Sequence, residues 1–150
     1  RRPGARQLGA ELARAGATVL TGGRGGVMAA ASEGARAAGG LAVGILPGAN
    51  AEQSPPNPHL AVALFTGLGQ ARNQVLVLSA GAVVAVGGGW GTLSEIALAL
   101  KHRIPVILLE SWRLQRPDGL LDPLLAVALS PADAAEIAVR QARHGRREER

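Results

Sequence analysis

Three short glycine-rich stretches hold the residues of this sequence best suited to binding an anion: Thr21-Gly22-Gly23-Arg24-Gly25-Gly26, Thr66-Gly67-Leu68-Gly69 and Gly87-Gly88-Gly89-Trp90-Gly91-Thr92. They take ten of the 21 glycines in 150 residues, in a chain that uses glycine about twice as often as the average protein. Each stretch follows an apolar run and precedes a helix-like segment. Glycine lets the backbone turn and approach a ligand closely, and a helix that starts just afterwards points free N–H groups at a negative charge. Phosphate is the group such loops would take. Tight strand-to-helix turns need glycine on their own account, so a single cluster says little. Three at equivalent positions point to one ligand site, to which Gly22, Gly23, Gly25, Gly26, Gly67, Gly69, Gly88, Gly89, Gly91 and Thr92 would all contribute.

Four further side chains bear on that site. Arg72 falls near the start of a helix-like segment, where a cation opposes the helix dipole unless a bound phosphate or Glu95 compensates; a solvated surface arginine is the alternative. Arg24, inside the first glycine stretch, is either a phosphate ligand or an exposed loop residue. Trp90 either covers a base or packs against another subunit. Glu95 also has two readings, since Thr92-x-x-Glu95 matches a capping box in which the carboxylate reaches back to the Thr92 backbone. Otherwise it faces the crevice. The common nucleotide fingerprints are absent: there is no G-x-x-x-x-G-K-S/T, no G-x-G-x-x-G with an acid about 20 residues on, and no G-x-S-x-G. His59, His102 and His144 lack metal-ligand or triad spacing, so no metal site is expected.

The elements that must position these residues are legible as continuous apolar runs over 17–20, 41–46, 60–65, 82–86 and 105–109, with a sixth short strand favoured over 124–129. Continuous rather than alternating runs are how strands buried on both faces of a parallel sheet read. Helices are predicted over 5–15, 27–38, 69–80, 92–102 and from 131 to about 144, the last opened by a Ser130 N-cap, Pro131 and Asp133. The segment 47–59 is the one sizeable loop. This pattern specifies an α/β doubly wound parallel sheet in one domain, whose ligand sites lie at the carboxyl ends of the strands. An α/β chain of this kind ordinarily begins with a strand, whereas this sequence runs directly from Arg1 into a helix; a preceding strand is therefore expected.

The formal charge is +5, but residues 1–14 and 140–150 each carry +3 and the middle carries −1. A basic excess confined to the ends reads as solvated termini rather than a nucleic-acid footprint. With 2% aromatic residues and no Tyr, stacking platforms for single strands are nearly ruled out. No apolar stretch is long enough for a membrane span, and the lack of cysteine suits a reducing, cytoplasmic setting.

Gly88-Gly89-Trp90-Gly91-Thr92-Leu93-Ser94-Glu95 resembles the G-G-x-G-T-x-x-E signature of the Lonely Guy (LOG) family, once labelled lysine decarboxylase-like, whose members are phosphoribohydrolases of nucleoside 5′-monophosphates. Arg72 stands 23 residues ahead of Glu95, as the family's upstream arginine does. The resemblance implies that Glu95 is a catalytic carboxylate that stabilises an oxocarbenium-like transition state or orients the attacking water, with Arg72 as its partner and no cofactor needed. Gly87 departs from the family's usual Pro, and Asn73 from its frequent Lys.

A closer resemblance is to molybdenum cofactor carrier proteins and the small bacterial proteins grouped with them. It rests on Thr21-Gly22-Gly23-Arg24, Gly26-Val27-Met28, Gly44-Ile45-Leu46-Pro47-Gly48, Thr66-Gly67-Leu68-Gly69 and Glu95-Ile96-Ala97-Leu98-Ala99-Leu100-Lys101, and covers residues 4–110. It implies a Rossmann-like fold, a homodimer or larger homo-oligomer, an N-terminal strand ahead of Arg1, Met28 among the binding residues, and the molybdenum cofactor as ligand. Three functions follow as expectations: hydrolysis of nucleoside 5′-monophosphates, carriage of the molybdenum cofactor without catalysis, or nucleotide sensing.

Overall fold

Every apolar run in the sequence forms a strand in the computed structural model, which describes residues 2–148. In chain order the elements are α1 (Arg2–Arg14), β1 (Val19–Thr21), α2 (Val27–Ala37), β2 (Ala42–Leu46), β3 (Val62–Phe65), α3 (Arg72–Leu78), β4 (Val83–Gly87), α4 (Trp90–Lys101), β5 (Val106–Ser111), β6 (Leu125–Val127) and α5 (Pro131–Glu148). A 3₁₀ turn over Gly69–Ala71 leads into α3. The last helix starts as its sequence requires: the Asp133 N–H donates to Ser130 Oγ at 3.1 Å, and the Leu129 N–H donates to Asp133 Oδ2 at 2.9 Å. The helix continues past 144 into the basic stretch 140–150, of which the last two residues lie outside the described ones, as do Arg1 and the strand expected ahead of it.

All strand pairings are parallel, yet the strands form two sheets rather than one. β1, β2 and β3 make the first and β4, β5 and β6 the second. β5 shows why the apolar runs are continuous. Ile107 and Leu109 pack with Leu8, Ala134, Ala135 and Ala138 from α1 and α5, while Val106 and Leu108 pack with Val77, Ile96 and Ala99 from α3 and α4. Both faces of that strand are therefore inside. β3 departs from the expectation of double burial, with Val62, Leu64 and Phe65 all more than a third exposed, because among the described residues it is an edge strand paired on one side, with β2. On α4 the core face is made by Ile96 and Ala99, and Ala97 is exposed.

Among the described residues, β1 and β4 have no hydrogen-bonded neighbour on the sides that face a shared gap of about 820 Å³, where one further parallel strand would join the two sheets. Apolar residues of α1, α3 and α5 wall it, and at its far end it opens onto the glycine loops that follow β1 and β4. Among the described residues, no helix is long and apolar enough to cross a membrane.

The helices α1 and α2 approach through two glycines. A Cβ on Gly9 would collide with the Ala31 carbonyl oxygen, and one on Gly34 with that of Arg6. Backbone cannot withdraw as a side chain can, so Gly34→Ala should cost about 1–3 kcal/mol in overpacking and lower Tm by roughly 2–4 °C per kcal/mol. Gly145→Ala, in α5 with open space around it, should instead leave Tm unchanged or raise it, since alanine is the better helix former by up to about 1 kcal/mol. Thermal unfolding of the two variants checks the pair of signs.

Candidate functional site

The site is built from three strand ends. After β1, Thr21 Oγ1 accepts the Gly23 N–H at 3.0 Å, folding the loop back. Gly26 then takes φ 66°, a conformation that favours glycine, and opens α2. The first α2 bond from this end runs from the Ala30 N–H to the Gly26 carbonyl, so the N–H groups of Val27, Met28 and Ala29 precede the helical ladder. After β4, Gly87 at φ 87° turns the chain and Gly89 opens α4, whose first bond runs from the Leu93 N–H to the Gly89 carbonyl. Neither helix start has a side-chain cap. Two helix N-termini thus direct bare N–H groups and positive dipole ends to the same mouth.

Because α4 begins at Trp90, Thr92 is its third residue and not its cap. The capping-box reading of Thr92-x-x-Glu95 therefore does not hold. Glu95 is left to face the cleft, half-buried, beside Arg72.

Arg72 reaches the site from the start of α3. Its Nη1 donates to the Gly22 carbonyl at 2.7 Å and to the Ile45 carbonyl at 2.8 Å. The guanidinium thereby ties the ends of β1 and β2, and a side chain on Gly22 would run into it and into the Met28 sulfur. This explains the cation at a helix start: strand-end carbonyls compensate it. Burial lowers the Arg72 pKa, the Glu95 charge opposes that shift, and Arg24 adds to it. Two buried polar atoms, Arg72 Nε and Asn73 Oδ1, find no hydrogen-bond partner among the described residues. Both residues line the cleft, and such orphaned groups call for a partner.

Burial raises the Glu95 pKa above the ordinary carboxyl value of 4.5, and Arg72 pulls it back only in part. A raised folded-state value means that Glu95 contributes most to stability at pH below the unfolded value, and that this contribution is lost as pH rises through the folded value. Glu95→Gln, which cannot ionise, should remove that loss. Its Tm relative to wild type should rise between pH 4 and pH 7, as thermal melts across that range would read out.

Of the residues singled out in the sequence, the cleft brings together Gly22, Gly25, Met28 and Arg72 from one side and Gly88, Gly89, Gly91, Thr92 and Glu95 from the other. The remainder lie outside its lining. Gly23 is packed against Leu46 and the Gly44 backbone, where it has no room for a side chain. Gly26 supplies the turn into α2. The loop with Gly67 and Gly69 folds onto the 47–48 segment, with the Gly67 N–H donating to the Gly48 carbonyl and the Gly69 N–H to that of Pro47. Its donors are consumed, so two glycine loops rather than three meet at the mouth. Arg24 has its carbonyl held by Asn57 Nδ2 at 3.1 Å, and Trp90 stands 78% exposed at the rim. Asn73, noted in the sequence as a departure from the LOG family's lysine and not as a site residue, belongs to this region, as does Trp112. Trp112 could have been found as the second tryptophan of the chain, three residues beyond the predicted β-run over 105–109.

The model of the SLOG cluster4 family matches residues 2–134. Among solved structures, the chain is similar to the molybdenum cofactor binding protein from the phototrophic bacterium Rippkaea orientalis, with 43% identity, a TM-score of 0.83, and coverage of 93% of this chain and 86% of that one. It is similar also to the molybdenum cofactor carrier protein from Chlamydomonas reinhardtii, with 39% identity, a TM-score of 0.79, and coverage of 95% and 88%. An uncharacterized protein of Archaeoglobus fulgidus is 43% identical over 96 residues, which are 64% of this chain and 62% of that protein. The match thus spans less than two thirds of that relative's length.

Proposed function

The chain belongs to the SLOG cluster4 family, and from that premise we propose that it binds the molybdenum cofactor, a pterin with a terminal phosphate, at the carboxyl ends of β1 and β4, where the two glycine loops open, and releases it unaltered. One observation carries this reading: the bare N-termini of α2 and α4 open at one mouth beside the Arg72 guanidinium, a cradle suited to a phosphate. The solved relatives that bind or carry the molybdenum cofactor support the choice of ligand. Expression in a host that makes the cofactor, followed by oxidation and pterin fluorescence of the purified protein, tests it. A retained pterin is expected; purified protein free of pterin, and unable to take it up when offered, would overturn the reading.

A second reading, hydrolysis of nucleoside 5′-monophosphates, is favoured by the half-buried Glu95. Its raised pKa suits a general acid that protonates the leaving base, although it works against the ionised carboxylate that an oxocarbenium-like centre needs. Arg72 is held by main-chain carbonyls and would act by positioning. Chromatography after incubation with AMP and GMP decides: base and ribose 5-phosphate formed by wild type and lost in Glu95→Gln would establish the hydrolase.

A further inference from the structure

Three aromatic residues occur in the whole chain, Phe65, Trp90 and Trp112, and both tryptophans stand together beside the glycine loop that follows β4. Their ring centroids are 5.3 Å apart with the planes tilted by 41°. Trp112 is firmly placed. At the end of β5 the register with β4 slips, so that Val86 pairs with Leu109 and Gly87 with Ser111, and the residue skipped, Glu110, takes φ 49°. That bulge re-aims the chain, and a non-glycine residue in the left-handed region is a local strain that the surroundings must support. Two hydrogen bonds then fasten the re-aimed segment to the glycine loop: Ser111 Oγ donates to the Gly87 carbonyl at 2.6 Å and Trp112 Nε1 to the Gly89 carbonyl at 3.1 Å. The Trp112 ring packs on the core around Ile96 and Leu108. Trp90, the first residue of α4, leans on this fixed partner and leaves most of its own surface to solvent.

We propose that Trp90, backed by Trp112, is a shelf on which the planar heteroaromatic ring of the bound ligand stacks while its phosphate lies at the start of α4. The proposal rests on the reading of the cleft mouth as a phosphate site and adds how the ring is recognised. The phosphate cradle and the shelf share one turn of backbone, since the N–H groups of Gly91 and Thr92 follow Trp90 directly. Every bicyclic ring offers a π-face, so the shelf selects ligands with such a ring from those with a phosphate alone, and accepts a pterin or a purine alike. Trp90 is the specificity-determining residue, and Trp112 is a positioning residue that acts through it.

The test uses the full chain and three probes: molybdopterin, GMP and ribose 5-phosphate. In Trp112→Phe, Trp90 is the sole tryptophan, and its fluorescence should be quenched by a ring-bearing probe and left unchanged by ribose 5-phosphate. By calorimetry, Trp90→Ala should weaken the ring-bearing probe by about five- to 100-fold, Trp90→Phe should restore much of the loss, and ribose 5-phosphate should bind all variants alike. Equal affinity of Trp90→Ala and wild type for molybdopterin and GMP would overturn the shelf while leaving the phosphate site standing. Failure of all three probes to bind would overturn both. A shift in oligomeric state by Trp90→Ala, with ligand affinity unchanged, would assign the exposed ring to contact with a second copy and overturn the proposal.

Discussion

Gly91→Asp should abolish measurable binding of a phosphorylated ligand while leaving Tm unchanged or slightly raised. Gly91 is the second residue of α4, with nothing within 4 Å of where a Cβ would stand and no positive φ, so the side chain enters without strain. A carboxylate in the first turn of a helix is stabilising by about 0.3–1 kcal/mol. The same charge would face the phosphate. At about 4 Å and an effective dielectric near 20, each pair of like charges costs about 4 kcal/mol, close to a thousandfold in affinity. Gly91→Asn, equal in size and neutral, should retain most of the binding. Calorimetric titration of the two variants with molybdopterin, together with thermal melts, separates charge from shape. Equal binding by wild type and Gly91→Asp would remove the start of α4 from the site.

Arg72→Met should have the largest effect on the fold itself. Hydrogen bonds that involve a charged group contribute about 1.5–3 kcal/mol each, and Arg72 makes two, to the ends of β1 and β2. Its loss leaves the Gly22 and Ile45 carbonyls without that donor and leaves Glu95 without the nearby cation. A loss of about 2–4 kcal/mol is expected, or roughly 4–16 °C in Tm at the usual sensitivity of a chain this long. Because Arg72 Nη1 fixes the loop that opens α2, ligand affinity should fall as well. Arg72→Lys should recover little of either, since its side chain is one atom shorter and does not carry the ammonium to the place of Nη1 between the two carbonyls. Thermal unfolding checks this, and a Tm within 1 °C or so of wild type would refute the clamp.

These effects mark where sequence patterns suffice and where they stop. Double burial of β5 is written in its unbroken Val-Ile-Leu-Leu run, but the exposure of β3 is not, because its Val-Ala-Leu-Phe looks the same and only topology makes it an edge. The start of α4 is displaced by two residues from its expected place. Thr92 satisfies the usual preference for a cap, while the actual cap, Gly89, bears no side chain to announce it. That displacement decides whether Glu95 is a cap or faces the cleft. Arg72 stands out as an anomalous cation at a helix start, but its partners are main-chain carbonyls of β1 and β2, and carbonyls leave no trace in residue type. The loop at Gly67 and Gly69 resembles the other two in composition yet spends its donors on residues 47–48. Glycine content shows that the backbone turns there and is silent about where its N–H groups point.

The glycine-loop mouth at the ends of β1 and β4 is held to take a phosphorylated pterin without altering it. Equilibrium dialysis of the wild-type protein against molybdopterin, with the ligand recovered from the protein side and identified, tests that most directly. The account predicts saturable binding, about one ligand per chain, with the ligand recovered intact. No retention of molybdopterin, or a ligand recovered without its phosphate, would contradict it.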